Sequence, residues 1–157
     1  MGKVLMLYAS MTGNTEAMAD IIGEAVEKHG HHVVTKTFEM DPVDVAELAD
    51  YDGLLIGTYS EDDGELPFEV EDFYEELDDV EINGMAAGVF GSGDSIYVTF
   101  GGGANTMGDR LEAKQASLVP ERLIVDLEPD DEDATRCWKF AAIFCEMLED
   151  SIEREGA

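Results

Sequence analysis

Short apolar runs alternate along this chain with segments of helical periodicity, and this alternation limits the folds open to it. Each apolar run is typical of a strand that is covered on both faces. Between the runs, apolar residues recur at the three- and four-residue spacing of an amphipathic helix. The predicted strands are 3–8, 32–38, 53–59, 85–91 and 122–127. The predicted helices are 15–29, 41–50, 67–77, 104–118 and 131–154.

Strands that alternate with helices indicate a parallel sheet with helices on both faces, joined by right-handed crossovers. The chain has 157 residues and no linker, repeat or low-complexity block, so we expect one domain over residues 1–157. Ligands of such folds bind beyond the carboxyl ends of the strands, where the strand order reverses. The candidate site therefore lies in the loops after the first, third and fourth strands, which read SMTGNT, SEDDGEL and SGDSIY.

The net charge of −28 excludes two classes of partner. Nucleic-acid binding needs a cationic surface, and an anionic membrane surface would repel this chain. The charge favours partner proteins with basic surfaces and association that weakens with salt. Because such a chain repels itself, we also expect it to be most stable in high salt, as in a salt-rich cytoplasm.

Other features indicate a cytoplasmic protein and no metal site. No signal peptide is visible, and no apolar run approaches the roughly 20 residues that span a bilayer. Cys137 and Cys145 lie on one predicted helix, about 12 Å apart, so we expect two buried free thiols. The HGHH segment, residues 29–32, is interpreted as a turn.

Two aromatic side chains, Phe68 and Trp138, are expected to pack inward on their helices. Asp41 is expected to cap the second helix.

The loop after the first strand has the composition of a phosphate site. It combines the hydroxyls of Ser10, Thr12 and Thr15 with Asn14, Gly13 and the amides of a helix N-terminus. Backbone donors and the helix dipole attract an anion, and hydroxyls complete its shell. The loop has no Lys or Arg and no P-loop pattern, which favours one phosphate monoester over a polyphosphate. The alternative is a Ser/Thr-rich helix cap.

The segment Ser10-Met11-Thr12-Gly13-Asn14-Thr15 resembles the phosphate signature of the flavodoxin family. The resemblance continues through YDGLLIGTY, DGELP, FYEEL and VFGSGDSIY in the family's order. It implies a flavodoxin-like α/β three-layer sandwich with a five-stranded parallel sheet in the order 2-1-3-4-5. It also implies non-covalent flavin mononucleotide (FMN) as the cofactor. The uninterrupted RLIVDLEP segment is similar to the short-chain form.

By this resemblance the protein would be a monomeric, low-potential one-electron carrier between a reductase and an acceptor enzyme. It would have no substrate chemistry of its own, because the cofactor carries the redox chemistry. One alternative is a flavodoxin-like FMN protein with a dedicated redox or maturation role. Another is a receiver-type signalling domain, disfavoured because the third strand ends in GTYS without its phosphorylatable aspartate. A binding module that has lost flavin is a third.

The resemblance assigns two further loops to the isoalloxazine ring. Tyr97 would stack on the outer face of the ring, and backbone groups of Gly91, Ser92, Gly93 and Asp94 would meet its pyrimidine edge. The loop after the third strand would supply the residues of the inner face. They are Thr58, Tyr59, Ser60, Glu61, Asp62 and Gly64.

This second loop departs from the family pattern. Glu61 stands where the family has an aromatic residue, and Asp62 where it has a glycine whose peptide flips on reduction. We therefore expect the inner face to lose its stacking partner unless Tyr59 or Leu66 replaces it. Two carboxylates beside the ring should also make formation of the anionic, fully reduced flavin harder.

Overall fold

A computed structural model of the chain describes residues 2–10, 13–41, 43–59, 66–93 and 102–156. Its centre is a parallel β-sheet built from the predicted apolar runs. The strands are β1 (Lys3–Ala9), β2 (His32–Thr37), β3 (Gly53–Thr58), β4 (Ala86–Gly93), β5 (Ser117–Leu118) and β6 (Leu123–Asp126). Every strand predicted from the sequence is present within two residues of its expected bounds.

The sheet has the predicted order 2-1-3-4-5, with its fifth position shared by two short strands. β1 pairs in parallel with β2 and β3, and β3 pairs with β4. β5 pairs with the start of β4, at Ala86 and Ala87, and β6 pairs with its end, from Phe90 to Gly93. The first of these short strands was predicted as the end of a helix. Gln115, whose φ of 65° is left-handed, lies in the turn that follows the helix.

Four α-helices within the described ranges cover the sheet. They are α1 (Asn14–Lys28), α2 (Phe68–Glu76), α3 (Gly102–Ala113) and α4 (Asp131–Gly156). Two short 3₁₀ segments, Val45–Asp50 and Leu77–Asp79, complete the described secondary structure. The short helix predicted at 41–50 is the first of these, and Asp44 rather than Asp41 caps it by accepting from the amide of Ala46 at 2.9 Å.

The two faces of the sheet bury separate apolar clusters, which alternate along β1 as the period of a strand requires. Val4, Met6 and Tyr8 point toward α1 and α4. Leu5, Leu7 and Ala9 point toward α2, α3 and the first 3₁₀ segment. Cys137 and Cys145 are free and buried in the first cluster, as predicted. Burial raises the pKa of the two thiols to about 11 and about 12.

Two aromatic side chains predicted to pack inward are exposed instead. Trp138 is 57% exposed and Phe68 is 84% exposed. Trp138 lies about 200° around α4 from the buried Phe140, so the two cannot share one face. Phe68 is the first residue of α2, whose buried stripe begins only at Val70. No helix among the described residues is long and apolar enough to cross a membrane.

Candidate functional site

The turn between β1 and α1 is organised by the hydroxyl of Ser10. Its Oγ accepts hydrogen bonds from the amides of Gly13 at 3.1 Å and Glu16 at 3.3 Å. Gly13 has a φ of 90°, a left-handed conformation that glycine adopts without strain, and it places α1 immediately after the loop. Of the backbone amides in the first turn of α1, that of Glu16 is taken by Ser10, while those of Asn14 and Thr15 have no partner within the helix. These donors and the positive end of the helix dipole fit one phosphate group.

The described carboxylates around this turn oppose an anion. Glu39, which follows β2, accepts a hydrogen bond from the amide of Ser10 at 3.1 Å. Glu16 lies in the first turn of α1. The pKa of the Tyr8 hydroxyl is raised, first by burial and then by the negative charges of Glu16, Asp20, Glu39 and Asp41. Sequence patterns did not identify Glu39 as part of the site, because it follows a different strand.

A buried hydrogen bond joins the start of α1 to β4. Thr15 is fully buried, and its Oγ1 lies 2.8 Å from Oγ of Ser92, with either hydroxyl able to donate. The amide of Ser92 also donates to Oγ1 of Thr15 at 3.4 Å. Two residues assigned separately to phosphate and ring are thus in direct contact. The Thr15 hydroxyl faces the sheet, so its backbone amide is the group best placed for an anion at the helix terminus.

The ends of β3 and β4 approach each other closely at Gly91. A Cβ atom on Gly91 would lie 2.1 Å from the carbonyl oxygen of Thr58, a separation that no side chain tolerates. Gly93, at the end of β4, accepts a hydrogen bond from the amide of Leu127 at 2.8 Å. Gly91 therefore lets the backbones of β3 and β4 come closer at this edge than any other residue would allow.

Tyr59 is held by α2. Its hydroxyl donates to Oε1 of Glu69 at 2.8 Å, and its ring packs against the apolar cluster that contains Val70 and Phe73. The side chain of Thr58 donates to the carbonyl of Tyr59 at 2.8 Å and is itself buried. Leu66, the other candidate to replace the missing aromatic, packs against the same cluster. The Tyr59 side chain would have to break its hydrogen bond to Glu69 before it could move to stack on the inner face of an isoalloxazine ring.

Nine of the predicted site residues are described, and they lie at the carboxyl ends of β1, β3 and β4. They are Ser10, Gly13, Asn14, Thr15, Thr58, Tyr59, Gly91, Ser92 and Gly93. The other eight lie outside the described residues. They are Met11, Thr12, Ser60, Glu61, Asp62, Gly64, Asp94 and Tyr97. The described part of the chain contains no group of three or more His, Cys, Asp or Glu side chains that could hold a metal ion.

A sheet in this order, with a hydroxyl-rich turn after its first strand and narrow strand ends opposite it, defines the flavodoxin-like class of α/β proteins. The flavodoxin family model matches residues 6–140. The probable flavodoxin 1 of Bacillus subtilis (strain 168) is 39% identical over 145 residues, which cover 92% of this chain and 90% of that protein. The chain belongs to the flavodoxin family, whose members bind FMN and transfer electrons.

Solved structures agree with this assignment. Oxidised flavodoxin 1 from Bacillus cereus has a TM-score of 0.88 and 37% identity, covering 92% of this chain and 97% of its own. A short-chain flavodoxin associated with a bacterial microcompartment has a TM-score of 0.89 and 32% identity, covering 94% of this chain and 99% of its own. This chain is likewise a short-chain flavodoxin, since only four residues, 119–122, separate β5 from β6.

Proposed function

We propose that this flavodoxin is a low-potential carrier of single electrons that holds one FMN non-covalently at the carboxyl edge of its sheet. The observation that carries the proposal is the Thr15–Ser92 hydrogen bond, which brings the phosphate loop and the end of β4 together at one site. When bound, the FMN supplies the redox chemistry. The chain's own residues bind it, orient it and set the charge around it.

The phosphate end of FMN is assigned to the turn after β1. Ser10 holds the turn in shape and Gly13 allows its left-handed bend. In this proposal the amides of Asn14 and Thr15 donate to the phosphate. Met11 and Thr12 complete the loop in sequence. The ring is assigned to the segments after β3 and β4. The residues given to it are Thr58, Tyr59, Ser60, Glu61, Asp62, Gly64, Gly91, Ser92, Gly93, Asp94 and Tyr97.

The acidic surface supports electron exchange with proteins that carry basic surfaces, a reductase and an acceptor enzyme. We propose that the chain acts as a cytoplasmic monomer of one domain, because a net charge of −28 opposes self-association. It has no substrate chemistry of its own in this proposal. Association with either partner should weaken as salt screens the charges.

The direct test is the colour of the purified protein. We expect a yellow protein with a flavin absorption spectrum that releases one FMN per chain on denaturation. Apoprotein should regain the spectrum on addition of FMN. A colourless protein that ignores added FMN would overturn the proposal.

The departure at Glu61 and Asp62 supports a second candidate, an FMN protein dedicated to one redox or maturation reaction. The two functions differ in their breadth of partners. A general carrier should accept electrons from a flavodoxin reductase and pass them to cytochrome c in a coupled assay. A dedicated protein would bind FMN and yet fail to turn over in that assay.

A further inference from the structure

In this flavodoxin the carboxylate of Glu39 and the backbone amide of Glu16 both bond Ser10, the residue that opens the phosphate turn. Glu39 bonds the amide of Ser10 at 3.1 Å, and the amide of Glu16 bonds the hydroxyl of the same serine at 3.3 Å. Ser10 thus sits between a carboxylate on one side and the acidic first turn of α1 on the other. Residues 10–15 contain no Lys or Arg to offset them.

No described cation forms an ion pair with this group of carboxylates, and Lys36 attracts Asp41 only over a longer distance. None of the ion pairs among the described residues includes Glu16, Asp20, Glu39 or Asp41. Lys36, on β2 just before Glu39, donates instead to both carboxylate oxygens of Glu47, at 3.1 and 3.0 Å. The pKa of Tyr8 is raised first by burial and then by the charges of these four acids, so the four carboxylates face the end of β1.

A phosphate monoester carries about −1.5 to −2 charges at neutral pH. The helix N-terminus offers roughly +0.5 charge, and Glu16 already lies within its first turn. The exposed carboxylates therefore repel the same phosphate that the backbone amides attract. Repulsion between exposed charges falls with salt, because the Debye length shrinks from ~10 Å at 0.1 M to ~3 Å at 1 M. Hydrogen bonds from the backbone amides are much less affected.

We propose that salt regulates cofactor loading in this chain: screening of Glu16, Glu39 and their acidic neighbours raises the affinity of the apoprotein for the phosphate end of FMN. This inference rests on the proposed function, because it takes the turn after β1 as the phosphate site. At low salt the turn is correctly shaped and electrostatically unfavourable for FMN. At high salt the same turn binds it tightly.

The test compares FMN with riboflavin, which lacks the phosphate, in titrations of apoprotein followed by flavin fluorescence. Between about 0.1 M and about 1 M KCl, we expect the Kd for FMN to fall about tenfold and that for riboflavin by less than about threefold. Circular dichroism at each salt concentration establishes that the apoprotein is folded. An FMN affinity that is constant or falls with salt would overturn the proposal, as would an equal gain for riboflavin.

Glu39→Gln tests the charge without losing the hydrogen bond, because the amide oxygen of Gln still accepts from Ser10. We expect this variant to bind FMN about threefold more tightly than wild type at about 0.1 M KCl and to show a smaller salt response. The matched control is Glu27→Gln, the same change at an exposed residue near the other end of α1. Equal behaviour of the two variants would overturn the assignment to Glu39.

The outcomes also separate this inference from the proposed function. If FMN binds at every salt concentration with constant affinity, the salt inference fails and the FMN carrier stands. If the folded apoprotein binds neither flavin at any salt concentration, the proposed function itself fails.

Discussion

His31 shows how one buried side chain can set the response of this fold to pH. Its Nδ1 accepts a hydrogen bond from the amide of Gly2 at 2.9 Å, so the neutral ring carries its proton on Nε2. Only 4% of the side chain is exposed, and Nε2 has no hydrogen-bond partner among the described groups. The carboxylate of Glu149 lies 3.9 Å from Nε2. Protonating Nδ1 would break the bond that holds the start of β1.

We predict that the free energy of unfolding falls as the pH drops below about 6.5, where the unfolded histidine takes up a proton. Burial lowers the pKa of His31 in the folded chain and outweighs the opposing effect of Glu149. The folded chain therefore binds a proton at His31 more weakly than the unfolded chain does. The stabilisation is complete above the pKa of histidine in the unfolded chain. It declines as the pH falls toward the lower pKa of His31 in the folded chain. Urea unfolding in high salt, from pH 8 to pH 5, measures it.

The matched variants for this prediction are His31→Gln and His32→Gln, which replace a buried and an exposed imidazole. We expect the wild-type chain and His32→Gln to share one pH dependence and His31→Gln to lack most of it. A pH profile of His31→Gln that parallels the wild type would contradict the assignment.

Gly91 limits what the carboxyl edge can accept. Gly91→Ala should lower the free energy of unfolding by about 2–3 kcal/mol and weaken FMN binding, because the added methyl would displace the Thr58 carbonyl. Gly23→Ala is the control, since a Cβ there has no heavy atom nearer than 3.9 Å. In helix α1 it should stabilise by about 0.5–1 kcal/mol. Denaturant unfolding of both variants checks the pair, and equal losses would contradict the close-approach argument.

Glu61 is predicted from the sequence to make full reduction of the flavin harder. A unit charge at roughly 4–6 Å in a water-like medium is worth about 1 kcal/mol. Glu61→Gln should therefore raise the midpoint potential of the last one-electron step by tens of millivolts, as measured by redox titration. Glu27→Gln controls for the change in net charge, and an identical potential in wild type and Glu61→Gln would remove Glu61 from the ring's surroundings.

Among the elements, α3 is tied to the start of β6 by Arg122. One of its terminal nitrogens donates to the carbonyl of Asn105 at 3.0 Å and to Asp109 at 2.6 Å, and the other lies 3.3 Å from Glu112. The Arg122 side chain is largely buried. Since β6 pairs with the last residues of β4, this arginine helps to fix α3 against the strand that precedes the predicted ring-binding segment.

Arg122→Met should cost about 1–2 kcal/mol of the free energy of unfolding, because it leaves the Asn105 carbonyl without its charged donor. Arg136→Met is the comparison. Arg136 bonds two carboxylates, Glu121 and Asp133, from a more exposed position, and such pairs contribute less than about 1 kcal/mol. Urea unfolding of the two variants measures both losses. A larger loss for Arg136→Met would contradict the role given to Arg122.

The elements also show how far the sequence predicts this fold. Continuous apolar runs identified β1, β3 and β4, because strands covered on both faces have no other pattern. The pattern failed for β5, whose two residues are too few to show a period, and for the aromatic side chains of Phe68 and Trp138. The Thr15–Ser92 bond joins residues 77 apart in sequence, so no local signal predicts it. The loop positions came from family resemblance and strand order.

At the scale of the whole molecule, 37 acidic residues and 9 basic residues make self-repulsion a property of the folded state. We predict that the thermal midpoint rises with KCl and levels off above about 1 M, where the Debye length falls to ~3 Å. Thermal scans followed by circular dichroism measure this. Sucrose serves as a control because it favours burial without screening charge. A midpoint independent of KCl would contradict the prediction.

The exposed Trp138 gives this molecule a built-in optical reporter. It is the sole tryptophan, and it lies on α4 beside Ile21 and Ala25 of α1. Flavins absorb where tryptophan emits, so emission at this single position should dim as the apoprotein takes up FMN. Because there is a single tryptophan, the fractional loss of its emission reports the fraction of molecules that hold FMN. Cofactor occupancy can then be followed during unfolding or salt titration without a label.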